Sequence, residues 1–201
     1  DDVGRLDRLI SDISDASRLD SELSRTHREP TDISGMLSTL TDVYATTATE
    51  GGPEVRLEIM GSQKLTVQGM DSRLVQVFRN LITNAMTFSP PGGTIRITAQ
   101  RDRKTVVVTV DDDGPGIPPG KEEAIFQRFY TERPQGEKFG THSGLGLSIA
   151  KDLAEANGGR VEISSTVGHG VIASLVLPSE PADAASGPVD RALRSAGTPP
   201  A

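Results

Sequence analysis

Three short stretches of this chain carry residues that could do chemistry. In FRNLITNAM, Asn80 and Asn84 stand four residues apart, which on a helix puts one a turn above the other on the same face. An amide carbonyl is a hard oxygen able to ligate Mg2+, an ion that usually shares its shell with phosphates and water. In VDDDGPGIPP, a strand runs into Asp111, Asp112 and Asp113 and then into Gly114 and Gly116. A carboxylate fixed at a strand end can accept a hydrogen bond from an exocyclic amine such as that of adenine, and the glycines let the main chain approach a ligand closely. In GTHSGLGLSIAKDLAEANGG, a helix read from Ser143 and ending at Gly158-Gly159 has Gly144 and Gly146 at its N-terminal end. There, unpaired N–H groups and the positive end of the helix dipole make a phosphate cradle. Taken singly, each stretch has an ordinary reading too: solvent-facing asparagines, a hydrated acidic turn, glycines that only permit tight packing. The glycines form neither a Walker loop, for want of Gly-Lys-Ser/Thr, nor a dinucleotide fingerprint after a first strand.

Hydrophobic patterning supplies the scaffold. Leu74, Val77, Phe78, Leu81 and Ile82 share one face of a helix opened by Asp71, so the asparagines ride on a buried element. PPGG at Pro90 to Gly93 ends it, and TIRITAQ and TVVVTVDD, joined by RDRK, read as a hairpin that delivers the aspartates. VRLEI and LTVQ alternate as half-buried strands, and RVEISS and VIASLVLP close the domain. A second helix, TDISGMLSTLTDVYATTA, follows Pro30 with Ile33, Leu37, Leu40 and Tyr44 on one side and Asp32 or Thr31 as its cap. A short helix is expected near Glu122 to Phe129, and the polar YTERPQGEKFGTH has the character of a mobile lid. The predicted fold class is α/β, a two-layer sandwich of a mixed sheet with helices on one face. Ahead of it, Val3, Leu6, Ile10 and Ile13 have heptad spacing on an N-terminal amphipathic helix that buries its seam in a hairpin or bundle. An ordinary amphipathic helix lying on its own domain is the alternative. From Ser179 onward, Pro, Ala, Gly and Ser without periodicity predict a disordered tail.

Composition narrows the function. The 201 residues carry 28 acidic and 21 basic side chains, a net charge of −7. That argues against a nucleic-acid partner bound through a broad basic surface, while leaving small anionic ligands open. No basic membrane-surface segment and no apolar run near the ~20 residues of a span is present, so no membrane contact is expected of these residues. There is no cysteine, which excludes disulfides and thiolate metal sites. The chain starts at Asp1 without a Met or a signal peptide and reads as a piece of something longer.

Order and context make the three stretches stronger together. An asparagine helix, a strand ending in Asp112-x-Gly114-x-Gly116, then IFQRFY, then a Gly-Leu-Gly-Leu helix start resembles the ATP-binding domain of the sensor histidine kinases. These belong to the wider GHKL superfamily of gyrase, the Hsp90 chaperones and MutL, so the resemblance implies a Bergerat-type fold. NAMTFSPPGG with HSGLGLSIAK is similar to the alphaproteobacterial ChvG-type sensors. The likeness covers roughly residues 30 to 178; residues 1–29 look like part of the second helix of a dimerisation and phosphotransfer bundle, and 179–201 remain as tail. By this resemblance the ligand is ATP with Mg2+. Asn84 looks like the metal ligand and Asn80 its neighbour beside the phosphates, the two forming the catalytic pair. Asp112 is similar to the carboxylate that reads the adenine amine, with Gly114, Gly116 and Ile117 following it and Asp111 and Asp113 as bystanders. Phe126 and Phe129 match an aromatic box that anchors the lid, and Ser143, Gly144, Leu145, Gly146 and Leu147 match the hinge over the triphosphate.

Four departures from the family pattern matter. Thr87 stands where a Lys or Arg often meets the phosphates, leaving Arg128, Arg133 or Lys138 to supply charge. His142 replaces a glycine, which should stiffen the lid. Val171 replaces a Thr that helps hold a water near the adenine carboxylate. No His-Glu-x-x-Thr/Asn-Pro phosphoacceptor box is present, and His27, His142 and His169 do not substitute for it. Superfamily members that hydrolyse ATP carry a Glu at the position of Asn80, and an amide cannot accept a proton at neutral pH. The resemblance therefore implies phosphoryl transfer to a histidine outside this chain, with onward transfer to an aspartate of a response regulator. It also implies a homodimeric parent joined through the N-terminal helix, and a cytoplasmic portion of an inner-membrane sensor. A nucleotide-binding or dimerising module without catalysis, or a serine kinase of the anti-sigma type, is the alternative.

Overall fold

A computed structural model describes residues 28–48, 50–130 and 144–180. The N-terminal heptad segment, His27, Arg133, Lys138, His142, Ser143 and the tail from residue 181 lie outside the described residues. In chain order the elements are β1 (Glu29–Asp32), α1 (Ile33–Thr47), β2 (Glu54–Met60), β3 (Thr66–Gly69), α2 (Asp71–Phe88), β4 (Thr94–Asp102), β5 (Thr105–Asp111), α3 (Gly146–Ala156), β6 (Arg160–Ser165) and β7 (Val171–Pro178), with a 3-10 turn at Ala124–Phe126.

Five strands form one sheet in the order β2-β4-β5-β7-β6. Only β2 and β4 run parallel, and α2 lies in the connection between them. Strand alternation gives the sheet one apolar face. Ile95 and Ile97 on β4, Val106, Val108 and Val110 on β5, and Leu175 and Leu177 on β7 are all buried, and the register sets Val108 opposite Leu175 and Val106 opposite Leu177. Onto this face pack the predicted residues of α2, with Leu74, Val77, Phe78, Leu81 and Ile82 at no more than 1 % exposure. From α3 come Ile149, Ala150, Leu153 and Ala154. Truncating a fully buried side chain such as Phe78 to alanine would remove about 3–5 kcal/mol. The opposite sheet face is polar: Arg96 pairs with Asp111 and Asp113, and Thr98 with Thr109. The mixed sheet with helices on one face is the expected α/β class.

Several boundaries differ from those read in the sequence. Glu29–Asp32 forms a strand antiparallel to β3, although Pro30 and two acidic residues disfavour one. A two-stranded edge tolerates a Pro with no N–H to donate. Asp32, one of the two caps anticipated for α1, accepts from the Ser34 N–H at 3.0 Å. The hairpin turn is shorter than RDRK, because Asp102 pairs with Thr105 and only Arg103 and Lys104 lie between. The helix anticipated near Glu122 to Phe129 reduces to the single 3-10 turn at Ala124–Phe126. The helix read from Ser143 begins at Gly146, because Gly144 has φ +68° and cannot be its first turn. Ser179 and Glu180, assigned to the tail, are bonded through their N–H groups to Lys104 O and Thr66 O.

Asn157 ties α2 and α3 together. It follows the last residue of α3 and is buried. Its Nδ2 donates to Leu153 O at 2.8 Å, and its Oδ1 accepts from Met70 N at 2.9 Å. Met70 immediately precedes α2, so one side chain joins the end of one helix to the start of the other. In Asn157→Ala the Met70 N–H is left buried without a partner, and stability should fall by about 1–3 kcal/mol, as read from the urea midpoint at unchanged slope.

Candidate functional site

β5 ends at Asp111 and hands Asp112 into a turn built of main chain. Asp112 is buried, 3 % exposed. Its Oδ1 accepts from the Gly114 N–H at 2.9 Å and from the Val171 N–H at 3.2 Å. Among the described residues no donor is assigned to Oδ2, which leaves that oxygen for a ligand. Burial pushes the carboxyl above its ordinary value, against the pull of the two main-chain bonds, and the charges of Asp111 and Asp113 push the same way as burial. Those two neighbours face elsewhere, as anticipated. Asp111 and Asp113 both pair with Arg96, and Asp113 also accepts from the Thr94 N–H.

The glycines around Asp112 have separate reasons. A Cβ on Gly170 would lie 1.7 Å from the Asp112 carbonyl oxygen, and its φ of +85° is one side chains rarely adopt. Gly116, at φ +79°, is pressed against Thr166 O. A Cβ on Gly114 would meet Asp112 Oδ1 at 2.7 Å and Phe88 O at 3.0 Å, so this turn rests against the end of α2. Behind the turn, Ser165 Oγ accepts from the Ile117 N–H at 2.8 Å and donates to Gly170 O at 2.9 Å. Sequence reading missed Ser165 and Gly170. Neither lies in the Asp-x-Gly-x-Gly stretch, and only the return of β6 and β7 brings them there. Val171, which stands in place of a Thr in the family pattern, bonds Asp112 directly through its main-chain N–H.

Along α2, Asn80 and Asn84 are both half-buried. Among the described residues Asn80 Nδ2 is buried with no hydrogen-bond partner, an arrangement that native proteins seldom leave unless a ligand or water completes it. Thr87, one turn beyond Thr83, donates its hydroxyl back to Thr83 O at 2.8 Å, and Thr83 itself contacts the Tyr44 hydroxyl on α1. The described residues contain no group of three or more His, Cys, Asp and Glu side chains that could hold a metal. An amide oxygen beside an unpaired amide donor does fit a Mg2+ that takes most of its shell from phosphate and water.

α3 starts beside a glycine turn. Among the described residues, no side-chain capping bond is made at Leu145, which precedes the first helical residue, Gly146, and nothing lies within 4 Å of where a Gly146 Cβ would be. Leu147 is half-buried and Leu145 buried, packing the turn into the core. Leu145 O accepts from the Ile149 N–H and from the Ser148 hydroxyl. The IFQRFY segment lies against α3. Lys151 Nζ sits 5.5 Å from the centre of the Phe126 ring, and Arg128 pairs with Asp152 at 3.2 Å. Asp152 is six residues, roughly 9 Å, along α3 from its start, so in this arrangement Arg128 is not directed at the glycine turn. Phe129 is 67 % exposed at φ +67°, and its N–H donates to Gly144 O at 3.0 Å. Ser143 falls outside the described residues.

Known proteins carry the same organisation. The family described as histidine kinase-, DNA gyrase B- and HSP90-like ATPases matches residues 69–181. Sensor protein ChvG of Agrobacterium fabrum is 43 % identical over 190 residues, covering 89 % of this chain and 32 % of that protein. The signal transduction histidine-protein kinase BaeS of Escherichia coli is 29 % identical over 179 residues, covering 89 % of this chain and 38 % of its own length. The chain thus spans roughly a third of the length of these curated relatives. A crystal structure of full-length ShkA in complex with AMPPNP superposes with a TM-score of 0.72 at 26 % identity, over 85 % of this chain and 35 % of that one. A family match across more than half of the chain, together with a solved relative that superposes at a TM-score of 0.72, makes this protein a member of the histidine kinase-, DNA gyrase B- and HSP90-like ATPase family.

Proposed function

We propose that this chain is the ATP-binding catalytic portion of a two-component sensor histidine kinase. It positions Mg-ATP for transfer of the γ-phosphoryl group to a histidine whose sequence box these 201 residues do not contain. A response-regulator aspartate then receives the group. The observation that carries this reading is Asp112, a buried carboxylate with one oxygen saturated by main-chain donors and the other left for a ligand. The AMPPNP bound by the structural relative supports the same ligand class.

Each residue has a definable task. The free oxygen of Asp112 accepts the adenine amine, and its fixed partner bonds prevent it from swinging away. Asn84 offers its amide oxygen to Mg2+, and Asn80 donates its unpaired N–H to a phosphate oxygen. Mg2+, when bound, would neutralise charge on the phosphates. The open N-terminus of α3 adds main-chain donors and its dipole at the same phosphates. Because Asn80 is an amide, it cannot take a proton from an attacking water, which favours transfer to a neutral imidazole over hydrolysis. Dimerisation of the parent through the N-terminal helix and a cytoplasmic position are part of the same reading. Among the described residues no helix is long and apolar enough to cross a membrane.

A second reading, a nucleotide-binding module without catalysis, is favoured by one observation. Thr87 spends its hydroxyl on Thr83 O and Arg128 is engaged by Asp152, so neither supplies charge to the phosphates in this arrangement. Supplying a separate His-box helix bundle with the chain and labelled ATP decides between the two. Label on the bundle supports the kinase, and binding without transfer supports the module.

Binding and stability measurements test these assignments. In Asp112→Asn, calorimetric ATP affinity should fall about 10- to 100-fold, the loss of a charge-assisted hydrogen bond. Stability at neutral pH should hold or rise, because the folded state raises this carboxyl and so disfavours its charge. Between the ordinary value of 3.8 and the raised one, the folded chain binds the extra proton, so the contribution of Asp112 to stability grows as pH falls. ATP affinity should move the opposite way, declining over that same window as the acceptor is protonated; a flat affinity there would remove Asp112 from the base site. In Asn84→Ala, the gain in ATP affinity on replacing EDTA by Mg2+ should shrink by about tenfold, and an undiminished gain would place the metal elsewhere.

A further inference from the structure

Ser165 touches both main-chain segments around Asp112. Its hydroxyl accepts from the Ile117 N–H and donates to Gly170 O. Gly170 O and the Val171 N–H belong to the same peptide group, and in a planar trans amide they point in opposite directions. The Val171 N–H is one of the two donors on Asp112 Oδ1. A line of two hydrogen bonds therefore runs from the Ser165 hydroxyl through one rigid peptide plane to the carboxylate. Rotating that plane breaks both bonds at once, and the first bond polarises the second.

The plane has little else to hold it. Gly170 has no side chain to pack, its φ is +85°, and its backbone lies so close to Asp112 O that a Cβ could not fit. A glycine of this kind is free to rotate unless an external bond fixes it. Val171 has its side chain half-buried at the start of β7, and its carbonyl accepts from the Asp112 N–H at 3.0 Å, which fixes the peptide after the one in question. On the other side of the turn, Ile117 is three residues beyond Gly114, the second donor on Oδ1. The same hydroxyl thus steadies the strand of chain that brings Gly114 in. The remaining charged groups beside the carboxylate, Asp111 and Asp113, are turned onto Arg96 and hold neither segment.

We propose that Ser165 is a positioning residue of the nucleotide site: by fixing the Gly170–Val171 peptide plane it aims Asp112 and so sets the preference for an adenine base over one without the amine. This rests on the reading of Asp112 as the base acceptor.

The test compares ATP with inosine triphosphate, which carries an oxygen where adenine carries the amine. Affinities of both, with Mg2+, are measured for the wild-type chain, Ser165→Thr, Ser165→Val and Ser165→Ala, with circular dichroism to establish folding. Thr and Val have the same shape and differ in the hydroxyl alone. Wild type and Ser165→Thr should prefer ATP alike, while Ser165→Val and Ser165→Ala should lose about tenfold of that preference, the scale of one or two net hydrogen bonds. Equal weakening of both nucleotides, or no weakening, overturns the proposal, as a role in packing alone would do just that. Failure of both hydroxyl-free variants to fold would assign Ser165 to the fold and overturn it as well. Wild type that binds neither nucleotide, or binds both equally, would instead remove the base-acceptor reading and the proposal with it.

Discussion

The structure turns on a carboxylate kept where water would be a better solvent for it. Burying Asp112 raises its proton affinity, and the adjacent Asp111 and Asp113 charges raise it further. Two main-chain N–H groups on one oxygen work in the opposite direction. Desolvation strengthens whatever bond the free oxygen makes to a ligand, because a hydrogen bond in a low-dielectric site is electrostatically stronger than in water. The neighbouring aspartates would worsen the position if they also faced inward. Arg96 on the outer face of the sheet draws both away.

That carboxylate needs three parts of the chain in register. The β5 strand brings Asp112, the turn before β7 brings Gly170 and Val171, and the end of α2 sits against Gly114. Pairing of β5 with β7, Val110 opposite Ala173 and Asp111 opposite Ile172, fixes the first two. A slip of one residue would turn the apolar face of β7 outward, so the hydrophobic alternation that builds the core also sets the height of the site. Asn157 then links the end of α3 to the start of α2, tying the helix with the open glycine end to the helix with the asparagines.

What could be read in the sequence follows from how local each signal is. The α2 face was legible because five apolar residues at helical spacing have only one burial solution. Asp112 was singled out from its two neighbours by family likeness alone; in the structure the difference lies in which way a twisted strand end points. Ser165 and Gly170 were invisible, because a serine at a strand end and a glycine in a turn carry no signal until β6 and β7 return beside the Asp112 turn. β1 was missed because its pairing with β3 is tertiary, while Pro30 and Asp32 argue locally against a strand. The start of α3 was placed three residues early, at Ser143, and the positive φ of Gly144 forbids a helical turn there.

The two halves of the site are built on different physical terms. Around Asp112, main-chain donors, a serine hydroxyl and close-packed glycines leave little to rearrange, so that half is preorganised before any ligand arrives. Around the asparagines and the glycine turn the opposite holds. Asn80 has a buried donor without a partner, the start of α3 lacks a capping side chain, and the exposed Phe129 sits at a left-handed φ. The unpaired amide of Asn80 is the kind of group that a ligand or water completes. Under the proposed function, a rigid half around Asp112 would select the base while a more open half around the asparagines would respond to the triphosphate.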